Sequence, residues 1–111
     1  MIRTEDGRVV AREHGVAESF LSRARGMMFR RSFPKGEALV FEFGSERRVG
    51  IHMLFVAFSL DVVFLDEDGV VVSVRTLRPW IGYASERAAT VVEFPAGAAE
   101  GVEEGDGLVI E

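Results

Sequence analysis

The chain contains no cysteine, and this absence excludes several kinds of chemistry. Disulfides, thiolate metal ligands and cysteine nucleophiles all require a thiol. Histidine is also scarce, because His14 and His52 are the two copies in the chain, too few for a metal site built from imidazoles. The sequence therefore predicts neither a bound metal nor a cofactor.

Positive charge is in short supply, since 13 lysine and arginine residues stand against 18 acids and leave a formal net charge of −5. Affinity for nucleic acid comes mainly from cationic side chains that displace counterions from phosphates, so a nucleic-acid partner is not expected. Most cations lie before residue 61 and most acids after it. This distribution favours two oppositely charged surfaces that attract each other within one domain.

The chain also lacks a segment that is long and apolar enough to be expected to cross a membrane. The apolar run at residues 49–65 falls short of the roughly 20 residues needed, and it contains Asp61, whose charge is costly in a bilayer. The first residues lack the basic and apolar regions of a secretory signal. The sequence therefore predicts one cytoplasmic domain, residues 1–111, without a membrane partner.

Turn-forming dipeptides divide most of the chain into short extended segments. Asp-Gly pairs at residues 6–7 and 68–69 are strong hairpin signals between segments rich in β-branched residues. Gly44-Ser45 is expected to end another strand. The further strands are predicted at residues 37–43, 89–95 and 107–111.

One short helix is predicted before residue 27. Ser19 can cap its N-terminus, and Gly26 can end it in the left-handed conformation. Together with the strands, this helix makes the expected fold class α+β. The architecture expected is a mostly antiparallel, strongly curved sheet or small open β-barrel with one or two short helices.

Two acidic residues interrupt segments that otherwise belong in a core. In an extended segment, Asp61 shares its side with two aliphatic residues, and Glu93 is embedded in the same way in "VVEF". A buried carboxylate is costly unless it is paired and hydrogen-bonded. Asp61 is therefore expected either at a strand edge in water or paired with Arg23 or Arg25 as a structural anchor.

His52 has more than one interpretation. A triad with Ser59 and Asp61 can be written from residue types, but Ser59 lacks the glycines of a nucleophile elbow, so a catalytic serine is not expected. Convergence of His52 with Asp61 and Glu93 in one cleft would instead suit a small-molecule-binding enzyme or sensor. The simpler role for His52 is a partly buried ring that donates to a carbonyl.

Two segments combine large apolar side chains with arginine. In "RARGMMFRR", residues 23–31, Arg23, Arg25 and Met28 could bind phosphate or an acidic partner, or the apolar residues could enter the core and leave the arginines in solvent. In "RPWIGYA", Trp80 and Tyr83 could line a binding site or cap one end of the fold.

Four segments in register resemble a small prokaryotic domain of unknown function, family 192. "VAESFLSRARGMMFRR" resembles the family's short helix and the Gly-Leu-Met after it, and "GEALVFEF" resembles the strand that follows. "HMLFVAFSLDVVFLDEDGVV" resembles its Leu-Asp strand and Asp-Gly hairpin, and "VVEFPAGAAEGVEEGDGLVI" resembles its closing segment. The matching residues include Arg23, Gly26, Met28, Met53, Leu60, Asp61, Glu93, Gly97, Gly105 and Asp106. The resemblance implies a compact α+β domain, dominated by antiparallel strands, with no established activity.

The chain departs from this family at residues 52–56. Many members have Trp-Met-Lys-Asn-Thr where this sequence has His-Met-Leu-Phe-Val. An exposed patch of Leu54, Phe55 and Val56 would suit a protein partner, a second copy of the chain or an apolar ligand. The sequence thus favours a non-enzymatic binding or accessory module and assigns no catalytic residue. The candidate binding residues are Arg23, Arg25, Met28, His52, Phe55, Asp61, Trp80, Tyr83 and Glu93.

Overall fold

A computed structural model of the protein describes residues 1–17 and 27–111. The described residues form eight β-strands and no helix: β1 Ile2–Thr4, β2 Val9–Ala11, β3 Glu13–Val16, β4 Glu37–His52, β5 Leu60–Leu65, β6 Val71–Leu77, β7 Tyr83–Pro95 and β8 Leu108–Ile110. The helix predicted at residues 19–26 lies outside the described residues. In the part of the chain that is described, no helix has the length and apolarity needed to cross a membrane.

The strands form two open sheets. The larger sheet has the order β3-β4-β7-β5-β6, and the smaller sheet has the order β2-β1-β8. Neighbouring strands are antiparallel except β3 and β4, which run parallel. The outer strands β3 and β6 do not pair, so the larger sheet does not close. The predicted α+β class and small barrel are therefore wrong for the described residues, whose fold is all-β with no closed barrel.

Both predicted Asp-Gly hairpins are confirmed. The β1–β2 turn has a hydrogen bond from Gly7 N to Thr4 O at 3.0 Å, and the β5–β6 turn has one from Gly69 N to Asp66 O at 3.2 Å. The two glycines have φ angles of 94° and 78°. Glycine reaches these angles without the steric cost that a side chain would impose, so the dipeptides alone indicate the turns.

The predicted end of a strand at Gly44-Ser45 is wrong, because β4 continues to His52. Gly44 has a φ of 80°, and the pairing between β4 and β7 shifts register between Glu42 and Arg47. The glycine therefore lies in an irregular, bulge-like stretch, which bends a strand without ending it. In the sequence, Gly44 is equally consistent with the end of a strand and with a bulge.

Beyond this bulge, β4 and β7 form a two-stranded extension that is termed the ribbon. It pairs residues 47–52 of β4 with residues 83–88 of β7, in antiparallel register. β7 is correspondingly longer than the strand predicted at 89–95. The ribbon ends at the loop that follows His52 and at the loop that precedes Tyr83.

The larger sheet is buried on both faces at its centre. In β5, Leu60, Val62 and Phe64 belong to one hydrophobic core, and Val63 and Leu65 belong to a second core on the other face. Successive residues of a strand point to opposite faces, so a strand covered on both sides is apolar without interruption. This arrangement explains most of the apolar run in the sequence.

Different elements cover the two faces. The loop-side core includes Met27, Met53 and Val56 from the loops between strands. The small-sheet core includes Ile2 and Leu108 from the smaller sheet. Because each face is covered by a separate element, the larger sheet buries its apolar surface without closing into a barrel.

Candidate functional site

Three loops meet beyond the end of the ribbon, at residues 27–30, 53–56 and 78–82. The backbone N of Phe29 donates to Phe55 O at 2.8 Å, and the backbone N of Trp80 donates to Val56 O at 3.2 Å. These main-chain bonds join segments that are far apart in the sequence. They hold the three loops in a single arrangement.

Phe29, Phe55 and Trp80 form an exposed cluster that is termed the aromatic platform. The Phe29 and Phe55 rings are stacked with centroids 5.0 Å apart, and the Phe55 and Trp80 rings meet edge to face at 5.4 Å. The three residues are nevertheless 63%, 45% and 52% exposed. Aromatic rings that contact each other while remaining in solvent are typical of a binding surface.

Further large apolar residues extend the exposed surface next to the platform. Leu54, Ile81 and Tyr83 are all exposed. His52 is exposed as well, and its Nδ1 accepts a hydrogen bond from Leu54 N at 3.2 Å. Single exposed apolar residues are ordinary on protein surfaces, whereas contiguous groups of this kind mark interaction sites.

The platform residues share an unusual backbone conformation. Phe29, Phe55 and Trp80 have φ angles of 65°, 61° and 67°, and they are all of the non-glycine residues with positive φ in the described part of the chain. For a bulky side chain this conformation costs on the order of 1 kcal/mol or more. Such strain persists only where the surrounding structure enforces it, and it is concentrated at functional sites.

The segments that carry the platform contain lysine and arginine but no acidic residue. The segments 27–36, 52–59 and 78–83 contain no aspartate or glutamate. Their lysine and arginine side chains are all exposed: Arg30, Arg31, Lys35 and Arg78. Because the whole chain carries more acids than cations, these loops have the opposite charge to the molecule as a whole.

The sequence anticipated part of this surface. Phe55, Trp80 and Tyr83 are exposed near the ribbon end, whereas Met28 is partly buried against the loop-side core. Phe29 was missed, because its segment is equally consistent with entry into the core. Its φ and its contact with Phe55 depend on a distant loop, so no local signal identifies it. Arg23 and Arg25 lie outside the described residues.

Asp61 is buried and has a structural set of partners. Its Oδ1 accepts a hydrogen bond from Thr76 Oγ1 at 2.8 Å, and its Oδ2 accepts from Gly97 N at 2.9 Å and Ala99 N at 3.0 Å. Thr76 belongs to β6, and the two amides belong to the loop after β7. One carboxylate therefore links three segments and meets the requirement that a buried acid be hydrogen-bonded.

Glu93 is buried in a different way. It is 4% exposed, and its Oε1 has no hydrogen-bond partner among the described residues. Burial raises the pKa of Glu93 to about 8, because a charged carboxylate loses its hydration in an apolar environment. The side chain is therefore protonated at neutral pH.

Asp61, Glu93 and His52 do not share a cleft. Between β5 and β7, Asp61 pairs with Phe94, and Glu93 pairs with Val62. Because paired residues project to the same face, Asp61 faces the small-sheet core and Glu93 faces the loop-side core. His52 is exposed at the end of the ribbon. The geometry thus offers no single cleft in which these groups could act together.

Two polar pockets, or hollows, lie away from these three residues, around the smaller sheet. One is lined by residues 4–6, 8, 101 and 105–107, and a second by residues 8–10, 97, 98, 100 and 101. None of the candidate residues that the structure describes lines either hollow. Within the described ranges, no group of three or more His, Asp or Glu side chains is placed to hold a metal ion. The aromatic platform is therefore the candidate functional site.

Known proteins resemble this chain along most of its length. The family model of domain of unknown function 192, described as an uncharacterized ACR, matches residues 1–110. A UPF0127 protein of Pyrococcus abyssi is 44% identical over 85 residues, 74% of this chain and 70% of the relative. A UPF0127 protein of Pyrococcus furiosus is 35% identical over 113 residues, 97% of this chain and 95% of the relative.

One solved structure supports the fold. The crystal structure of a protein of unknown function from Novosphingobium aromaticivorans has a TM-score of 0.85 and 22% identity, and the match covers 98% of this chain and 83% of that one. At this identity the likeness shows the fold alone. The family match over residues 1–110 and the two relatives establish that the chain belongs to the uncharacterised DUF192 family, whose relatives carry the name UPF0127.

Proposed function

We propose that the protein is a non-enzymatic binding module and that a partner protein docks on the aromatic platform. The observation that carries the proposal is the convergence of Phe29, Phe55 and Trp80 at one exposed site, each with a strained backbone. Large aromatic anchors at the centre of an interface supply much of the binding free energy in protein complexes.

The composition of the surface supports a protein partner. Aromatic residues, methionine and arginine are enriched in protein interfaces, whereas lysine, aspartate and glutamate are depleted. The three loops contain aromatic residues and arginines and no acid. Leu54 and Phe55 contribute exposed apolar side chains to this surface, whereas Val56 is buried in the loop-side core.

Preorganisation supports the same role. The bonds from Phe29 N to Phe55 O and from Trp80 N to Val56 O hold the loops before any partner arrives. A surface that is already ordered loses less conformational entropy on association, which leaves more of the contact energy for affinity.

We expect Phe55→Asp to weaken partner binding by about thirtyfold or more, because it places a charge in the middle of the platform. Aspartate adopts a positive φ more readily than phenylalanine does, so the variant should fold. Its melting temperature should remain within about 5 °C of the wild-type value. Calorimetry with the partner and thermal unfolding measure the two effects.

The partner is obtained with the wild-type protein as bait, and each protein that it retains is identified and purified. A matched control is Val9→Asp, since Val9 is exposed on β2 of the smaller sheet. The control should bind with wild-type affinity. Equal affinity of the partner for wild type and Phe55→Asp would contradict the proposal.

A further inference from the structure

The ribbon that leads to the aromatic platform carries two arginines directly opposite each other. Arg48 of β4 and Arg87 of β7 are paired across the antiparallel strands, so their side chains project from the same face. Like charges in this position destabilise a sheet unless another group compensates for them. Both residues are exposed, and neither forms an ion pair within the described residues.

The contacts of these arginines with the described residues leave most of their donors available. Arg48 Nη1 donates to Ser85 O at 3.3 Å, and Arg87 Nη2 donates to Glu46 O at 3.5 Å. Both distances are long for hydrogen bonds. A guanidinium has five N–H donors, and its planar fork matches a carboxylate. The pair can therefore accept an anionic ligand without breaking an existing ion pair.

The same face continues to the end of the ribbon, beside the loops that carry the platform. Gly50 and His52 follow Arg48 at two-residue steps, so all three lie on one side of β4. A side chain at Gly50 would lie 3.0 Å from the Tyr83 hydroxyl, so the tyrosine side chain lies close over this glycine. The His52–Tyr83 pair ends the ribbon, two residues before Leu54. The arginine pair and Tyr83 thus form a basic strip that leads to the platform.

Among the described residues, the acids near the strip lie at its far end or on the opposite face of the ribbon. The backbone N of Glu46 donates to Glu67 Oε1 at 3.2 Å, which places the Glu67 carboxylate beside the start of the ribbon. Glu86 is on the opposite face of β7 from Arg87, where it pairs with Arg75 at 3.3 Å. The basic character therefore increases from the far end of the ribbon toward the acid-free loops.

We infer that the partner of the platform is an acidic protein segment, whose large apolar side chain rests on Phe55 and Trp80 and whose carboxylates pair with Arg48 and Arg87. This inference rests on the proposed function. A second copy of the chain docked by the same face would bring like charges together. A long nucleic acid would meet the net negative charge of the rest of the molecule.

Random peptides displayed on phage and selected on the full-length protein provide the test. Peptides that bind wild type but not Phe55→Asp should be enriched in Asp and Glu together with Trp, Phe or Leu. The most enriched peptide should bind the double variant Arg48→Ala/Arg87→Ala about tenfold more weakly, and its affinity should depend less on salt. Arg12→Ala is the matched control, because Arg12 is exposed near the opposite end of β4.

A second variant separates binding from folding. Arg48→Glu replaces the like-charge pair with an ion pair to Arg87, so thermal stability should hold or rise while peptide affinity falls by more than in the alanine variant. If Phe55-dependent peptides are neutral or basic, or bind the arginine variants unchanged, the inference is wrong and the proposed function stands. If no peptide depends on Phe55, the proposed function itself fails.

Two other ligands complete the experiment. Mixed-sequence single-stranded RNA and vesicles of phosphatidylserine with phosphatidylcholine are titrated against the same variants. Weaker binding than that of the selected peptide supports the inference. Tighter binding that requires Arg48 and Arg87 would overturn it in favour of a phosphate-bearing ligand.

Discussion

Replacing Asp61 with alanine is expected to lower the free energy of unfolding by about 4 kcal/mol, because it leaves buried donors without an acceptor. The carboxylate accepts hydrogen bonds from Thr76 Oγ1, Gly97 N and Ala99 N. Alanine removes all three bonds. Asp61→Asn should cost less, since its amide keeps one oxygen but presents N–H groups where donors already converge.

Urea unfolding, followed by the fluorescence of the single tryptophan, measures this effect. Thr76→Val is the matched control, because it removes one donor and keeps the carboxylate with both of its amide partners. It should cost about 1 kcal/mol. An Asp61→Ala protein that unfolds at the wild-type urea concentration would show that the carboxylate does not anchor the loop after β7.

The second large effect concerns Glu93 and the pH. Its pKa is about 8 in the folded protein, above the ordinary value of 4.5. Its contribution to stability is fully present below about pH 4.5 and is lost as the pH rises to about 8, because the unfolded chain releases the proton first. The expected decline is about 1.4 kcal/mol per pH unit within this window, on the order of 4 kcal/mol in total.

Glu93→Met should remove this dependence, because methionine has a similar length and no titrating group. Its unfolding free energy should stay nearly constant across the window and exceed that of wild type by roughly 3 kcal/mol near pH 8. Glu104→Gln, a change at an exposed acid, should keep the wild-type slope. A wild-type protein whose stability does not fall from about pH 5 to about pH 8 would rule out a buried protonated Glu93.

The two buried acids also show the limits of inference from residue types. Asp61 and Glu93 occupy similar places in apolar strand segments, and the sequence treats both as candidates for an arginine partner. In the fold, Asp61 meets two amides and a hydroxyl, whereas Glu93 has an oxygen without a partner among the described residues. The difference depends on which distant loop lies over each face of the sheet, and no local pattern reports it.

The sequence identifies some residues of the aromatic platform but not all of them. Phe55 and Trp80 are conspicuous in the sequence because each stands in a loop-like segment beside proline, glycine or an unusual apolar run. Phe29 is not, since a phenylalanine next to two methionines is equally consistent with burial. Its ring contact with Phe55 exists because Phe29 N bonds to Phe55 O. That bond joins two segments separated in the chain by the long strand β4.

The sequence by itself determined the two Asp-Gly hairpins, the alternation of side chains along β5 and the family to which the chain belongs. The first two features follow from the conformational freedom of glycine and from the two-residue period of a strand, both of which are local. The tertiary structure alone decided that Gly44 bends β4 instead of ending it, that two sheets form in place of a barrel, and that three strained aromatic residues meet. Each of these outcomes depends on the register of strand pairing and on contacts between segments that are distant in the sequence, and a local pattern does not determine either.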